Sequence, residues 1–400
     1  MGGGEGFRNR ANSPRAAMNA FEQEFAERSS WYTERGMTPL INAKGTYTTL
    51  GGTLPPSSVT DAMTAASQAF VPLEELNDWA GEIVAEHTGA EAGYVTAGAA
   101  AAMTLQAAAC IAGDDPDGLP ANGGNEGAQE ILLRRAHDSE FVKLYEVGGA
   151  TIRWIDDGDG FEVGRFADAI DDRTAAIGYV ASKWLPGSVD EVAELVAIGN
   201  RYDIPVVVDA AAMLPPAKHL RDFTAAGADL VGFSGGKAIR GPQSTGLLAG
   251  RSDLIEAARV HNSPNIGVNR GAKVCKEEIA GLVAALERFV ELDHDARQAR
   301  WQTAAETVVT ALRPLEHVRA AVEYNPWRRP VPQASVAFTD EWSGPPAQAV
   351  HDRLLAGNPA IGIGVNQRPD EDLCVNPHCL EAGEIELVKD RLLAVLDGSA

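Results

Sequence analysis

Apolar positions in this chain follow two rhythms. Short continuous runs, closed by turn residues, recur at Ala92–Thr96, Ile131–Leu133, Gly149–Ile155, Ala175–Ala181, Val206–Val208 and Ala228–Phe233. Runs of that length, rich in aliphatic residues, suit strands covered on both faces. Between them apolar residues return at helical spacing. Ser58–Ala69 follows a Ser57 cap, Leu73–Thr88 carries Glu74 and Glu75 in its first turn, an Ala-rich helix runs from Gly98 to Cys110, and another spans Val189–Tyr202. This alternation predicts an α/β fold with a mostly parallel sheet and helices on both faces.

Beyond Gly250 the rhythm changes. A long helix is expected from Glu277 to Trp301 or beyond, then a strand at Val336–Thr339, a helix at Ala347–Ala356, strands at Ile361–Val365 and Leu373–Val375, and a last helix at Glu384–Leu396. At the other end, Phe21–Arg35 reads as a helix and Leu40–Leu54 as strand or loop. The opening MGGGEGFRNRANSPRAAM has no apolar centre of the secretory kind and reads as a flexible lead-in. The domains expected are an N-terminal segment over 1–56, a large α/β domain over 57–290 and a small α+β domain over 291–400.

The stretch Ile204–Leu248 carries the chemistry. Its two buried runs end in Asp209 and in Ser234-Gly235-Gly236-Lys237, so an acid and a lysine stand at the carboxyl ends of two strands. Open α/β sheets place their ligand crevice there. Taken alone, Asp209 is a helix cap and Lys237 a surface charge. Together they match what pyridoxal 5'-phosphate requires: a lysine to hold the aldehyde as a Schiff base, and a carboxylate to keep the pyridine nitrogen protonated. Gly236 allows close backbone approach and Ser234 can bind an anion. The strand-to-helix turn at Ala97, Gly98 and Ala99 exposes helical N–H groups suited to the cofactor phosphate.

VVVDAAAMLPP and SGGKAIRGPQSTGLL, with INAKGTYTTLGGTLP, TGAEAGYVTAGAAAAM and KVCKEEIAGLVAALERF, resemble the selenocysteine synthase-like family of fold-type-I pyridoxal-phosphate enzymes. The resemblance runs from about Pro39 to the end of the chain. It is nearer the small-substrate ammonia-lyase branch, typified by D-glucosaminate-6-phosphate ammonia-lyase, than the tRNA-dependent selenium transferases. It implies elimination from a small amino acid or amino sugar acid, releasing ammonia and a 2-oxo acid. Selenium transferase-like β-replacement, racemisation and aldol cleavage use the same Lys and Asp and stay open, as does a non-catalytic binding protein on this fold. The resemblance also implies a catalytic His137 stacked on the cofactor ring and an N-terminal segment near the site, with Lys44 or Thr46 touching substrate. Arg270, Lys273 and Lys276 would lie at the site mouth, across the interface of a homodimer or higher homo-oligomer. Arg368, between two C-terminal strands, is a candidate for a substrate carboxylate.

Charge narrows the partners. The 400 residues carry a net charge of −22, and lysine occupies only eight positions. That balance opposes a nucleic-acid partner, which needs a concentrated basic surface, and points to a small-molecule amine substrate, anionic if the Arg270 cluster serves it. Scarce lysine with abundant acid fits a halophilic source, with an acidic mesophile as the alternative. No apolar run is long enough for a bilayer, so a cytoplasmic protein without a membrane partner is expected. Cys374 and Cys379, with His378 between them, hint at a metal, but nothing nearby completes a zinc spacing and no metal site is expected.

Overall fold

The computed structural model describes residues 20–119, 127–156, 158 and 160–398. The expected lead-in lies outside them, as do residues 120–126 of the acidic loop, Asp157 and Asp159. Strands are numbered in chain order: β1 Leu40–Ala43, β2 Ala92–Thr96, β3 Glu130–Arg134, β4 Thr151–Ile155, β5 Thr174–Val180, β6 Val206–Asp209, β7 Leu230–Ser234, β8 Gly246–Gly250, β9 Val318–Asn325, β10 Arg329–Phe338, β11 Ala360–Arg368 and β12 Glu371–Val375. They form a seven-stranded sheet, ordered β2-β8-β7-β6-β5-β3-β4, and a five-stranded sheet, ordered β1-β11-β12-β10-β9.

Both faces of the large sheet are buried, which is why its strands read as unbroken apolar runs. Val206 and Val208 pack with Leu132 and Ile177 on one face, while Val207 packs with Ile131, Leu133 and Ala176 on the other. Burying each such side chain stabilises the fold by about 1.5–3 kcal/mol. Two helices lie where the pattern placed them. Val189–Tyr202 starts at Ser188, whose Oγ accepts the Glu191 N–H at 3.1 Å, and Leu73–Thr88 stops at Gly89. Ser57 is the first residue of helix Ser57–Ala66 rather than its cap, and Pro56 holds the cap position.

Three expectations need correction. The long helix breaks into Lys276–Glu291 and His294–Leu312, because the Asp293 side chain accepts from Ala296 N at 2.8 Å and starts a new helix. The Phe21–Arg35 helix divides into Ala20–Arg28 and Ser30–Thr33. The second sheet gains a long hairpin, β9 and β10, where only Val336–Thr339 reads as strand. Pro330 and Pro332 hide it: a proline offers no N–H to the ladder, and the register shifts between Arg329 and Gln333 to accommodate them. In addition, β1 pairs in parallel with β11, Leu40 opposite Ala360, so the N-terminal segment completes the C-terminal sheet. Among the described residues no helix is long and apolar enough to cross a membrane.

Candidate active site

Strand direction gathers the candidate residues. β3, β4, β5, β6 and β7 run parallel, and β2 and β7 are both antiparallel to β8, so β2 shares their direction. The carboxyl ends of β2, β3, β5, β6 and β7 therefore meet along one edge. Ala97–Ala99, His137, Lys183, Asp209 and Lys237 each follow or end one of these strands.

After β2 the chain turns at Gly98, whose φ of +78° favours glycine, into the helix Gly98–Ala112. Ala97 occupies the cap position and no side chain caps this helix, so its leading N–H groups have no side-chain acceptor. Gly246 packs on this turn: a Cβ there would lie 2.4 Å from Gly98 C and 2.6 Å from Ala99 N. The β8 backbone thus closes one side of the turn, while Ala97 and Gly98 stay half-buried and Ala100 exposed, and a helix N-terminus so placed fits the phosphate of the expected cofactor.

The lysine turn is fixed through its backbone. Gly235 N donates to Thr245 O at 2.8 Å, and the Thr53 hydroxyl donates to the carbonyls of Gly236 and Lys237 at 3.0 and 3.1 Å. Arg240 Nε bonds Leu54 O at 2.8 Å, so the segment after β1 clasps the turn from outside. Burial holds the Lys237 amine below its ordinary range, with Asp209 opposing that shift. Asp209 is 6% exposed and pairs opposite Gly232 of β7, while its Oδ1 accepts the Ala211 N–H at 3.0 Å. Burial raises its carboxyl, and the Ala211 N–H and Lys237 oppose the rise. The two groups act on each other in a buried setting. A protonated pyridine nitrogen facing Asp209 and an aldehyde at Lys237 fit that pair.

A cleft between the two sheets is lined by Thr46, Lys183, Leu214, Lys237, Gln333, Asn376 and His378 among others, and its lining contains no Asp or Glu. Lys183, Gln333, Asn376 and His378 escaped the sequence reading as site residues. The polar run Asn376-Pro377-His378 directly after buried β12 was the available signal. Cys374 Sγ lies 2.9 Å from Gln333 Oε1 and Cys379 Sγ turns to Gly52 O at 3.7 Å, so the two thiols do not converge with His378. Among the described residues no group of three His, Cys, Asp or Glu is placed to hold a metal.

The other candidates fall in different places. Thr46 lines the cleft, whereas the Lys44 amine sits 4.9 Å from the centre of the Tyr47 ring and acts on His351. His137 is fully buried: Nδ1 accepts from Val180 N at 3.4 Å, Nε2 donates to Pro186 O at 3.0 Å, and Tyr179 meets the ring edge-on. These contacts tie His137 to the loop after β5. Arg270 bonds Ser263 Oγ at 3.3 Å and Lys276 pairs with Glu277 at 2.5 Å, so each is engaged locally. Arg368, the last residue of β11, donates to Arg328 O at 2.7 Å and Lys183 O at 3.5 Å, which ties the small sheet to the Lys183 loop.

A family model described as aminotransferase class-V matches residues 120–340. The chain is 31% identical to a 5'-C-glycyluridine monooxygenase-decarboxylase of a Streptomyces species, over 91% of this chain and 92% of that protein. It is 29% identical to a D-glucosaminate-6-phosphate ammonia lyase of Salmonella typhimurium, over 92% and 98%. A solved structure of a D-glucosaminate-6-phosphate ammonia-lyase superposes with a TM-score of 0.78 at 28% identity, covering 92% of this chain and 98% of that one. An L-seryl-tRNA(Sec) selenium transferase of Solidesulfovibrio magneticus is 27% identical over 65% of this chain and 62% of that protein.

Proposed function

The chain belongs to the aminotransferase class-V family of pyridoxal-phosphate enzymes, and from that membership we propose a carbon–nitrogen lyase acting on a small amino acid or amino sugar acid. The observation that carries the reading is the placement of Asp209 and Lys237 at the ends of paired strands, beside an uncapped helix N-terminus. Bound there, pyridoxal phosphate supplies a ring that takes up negative charge developing on the carbon beside the substrate amine. The chain's residues supply the rest. The Gly98–Ala112 helix start holds the phosphate, with Ser234 and Gly236 in the neighbouring turn, and Asp209 keeps the proton on the ring nitrogen. Lys237, its proton affinity lowered by burial, takes the proton from the substrate carbon. Loss of a hydroxyl from the next carbon then turns a 2-amino-3-hydroxy acid into a 2-oxo acid and ammonia, with no net uptake of water.

The near full-length likeness to an ammonia lyase supports this choice. The test is to load the protein with pyridoxal phosphate and offer D-glucosaminate 6-phosphate and D-serine. Release of ammonia and a 2-oxo acid in equal amounts from either is expected. A protein that holds the cofactor but releases neither product from either substrate loses the lyase reading. The likeness to a monooxygenase-decarboxylase supports a second reading, in which oxygen is consumed and carbon dioxide released in place of ammonia.

We also propose a homodimer or higher homo-oligomer. Phe70 is wholly exposed and its neighbour Val71 is exposed too, which supports a partner surface there. Light scattering is expected to give at least twice the chain mass of 42.2 kDa. A monomer across the micromolar range would refute it.

A further inference from the structure

The cleft holds one lysine more than the cofactor needs. Lys237 serves the aldehyde, yet Lys183 lines the same space, half-buried, and among the described residues no carboxylate pairs with it. Among the described residues its amine meets the Trp184 ring, 5.5 Å away, and no carboxylate within ion-pair distance. In a chain of net charge −22, an unpaired ammonium in a cleft without Asp or Glu is a site built for an anion. Two neighbours add hydrogen-bonding capacity without charge. Asn376 uses Oδ1 to accept the His378 N–H at 3.0 Å, which leaves its amide N–H groups as donors. His378 Nε2 is sealed from solvent and has no hydrogen-bond partner. Burial, with Arg297, Lys183 and Arg240 around it, keeps that ring neutral.

The loop that carries Lys183 is held from several sides. His137 Nε2 donates to Pro186 O, Trp327 Nε1 donates to Leu185 O at 3.3 Å, Arg368 donates to Lys183 O, and Ser188 N donates to the Tyr179 hydroxyl at 2.9 Å. Both sheets contribute to this clamp, as expected for a side chain whose position matters.

We propose that Lys183, with Asn376 and His378 Nε2, forms the subsite for the carboxylate attached to the amine-bearing carbon of the substrate, with His137 as a positioning residue for its loop. Proximity decides which anion it takes. Lys183 and Lys237 share one cleft, so the group bound at Lys183 is a near neighbour of the reacting amine and not a phosphate at the far end of a sugar. After burial, Lys237 is the largest influence on the Lys183 amine; Arg368 acts in the same direction, Cys374 and Cys379 act against it, and together they bring it to about 8. The subsite is thus charged below that pH and neutral above it.

The inference rests on the lyase reading for its substrate class, and two non-reactive probes test it. D-gluconate 6-phosphate and D-glucitol 6-phosphate differ only in a carboxylate against an alcohol, and neither has an amine to react with the cofactor. Calorimetric titration of the cofactor-loaded wild type is expected to show the acid bound about 10- to 100-fold more tightly, as charge-assisted hydrogen bonds allow. That preference should fall about tenfold per pH unit above about 8. Lys183→Gln should abolish it and leave glucitol 6-phosphate binding unchanged. Lys183→Arg should keep it and lose the pH dependence, since a guanidinium stays charged. A wild type without the preference, or a Lys183→Gln protein that retains it, overturns the proposal. The visible cofactor band is read in the same samples: a normal band without acid preference refutes the subsite alone, whereas an absent wild-type band refutes the lyase reading itself.

Discussion

Lys237→Ala is expected to purify as a folded, colourless protein with turnover lowered about 10⁴-fold, the upper range for loss of a positioned acid–base group. The wild type, incubated with pyridoxal phosphate, should show a visible band that borohydride removes, leaving a covalent adduct on the peptide containing Lys237. Folding should survive because the turn is held by backbone atoms: Gly235 N to Thr245 O, Thr53 Oγ1 to the Gly236 and Lys237 carbonyls, and Arg240 N to Lys237 O at 3.0 Å. None of these bonds needs the lysine side chain. Small primary amines added to the variant should restore part of the turnover, because they fill the same buried space with a base. If the variant keeps a borohydride-sensitive band, the cofactor is anchored elsewhere, with Lys183 the first place to look.

How much of this was legible in the sequence follows from where each signal is written. Val206–Val208 and Leu230–Phe233 announce themselves because strands buried on both faces need no polar alternation, and the residues ending them fall at the ligand edge by the logic of parallel sheets. The phosphate turn was legible for a similar reason, since Gly98 and the alanines after it are a local pattern. Lys183 and His378 were not. Their meaning depends on a loop after β5 meeting a turn after β12, and the side-chain sequence around either gives no sign of the other. Likewise β1 pairs with β11 across more than three-quarters of the chain, a contact written only in the tertiary fold. Local misreadings had local causes: Asp293 is an ordinary charged residue until its side chain caps a helix, and prolines in β10 disguise a strand that tolerates them at a register shift. His137 was singled out by resemblance, and its bond to Pro186 O in the Lys183 loop is a tertiary contact that no local pattern announces.

Asp209→Asn should separate catalysis from folding by moving them in opposite directions. The substitution keeps an oxygen acceptor for the Ala211 N–H and the shape of the side chain, and removes only the charge. Without a carboxylate the ring nitrogen has no anion to hold its proton, and turnover is expected to fall about 10²–10³-fold, as for loss of one preorganised electrostatic group. Stability should respond the other way in the cofactor-free protein. Burial raises the folded-state affinity of Asp209 for its proton above the unfolded value, with Lys237 only partly opposing this. At low pH both states are protonated and the residue has no net effect. As pH rises through the carboxylate range, the unfolded chain releases its proton first, so ionisation favours unfolding. Asparagine escapes that penalty. The cofactor-free variant should therefore have a higher Tm than wild type near neutral pH, and the difference should close as pH falls towards about 4. A lower Tm, unchanged by pH, would assign Asp209 a structural role and leave the cofactor's ring nitrogen without its partner.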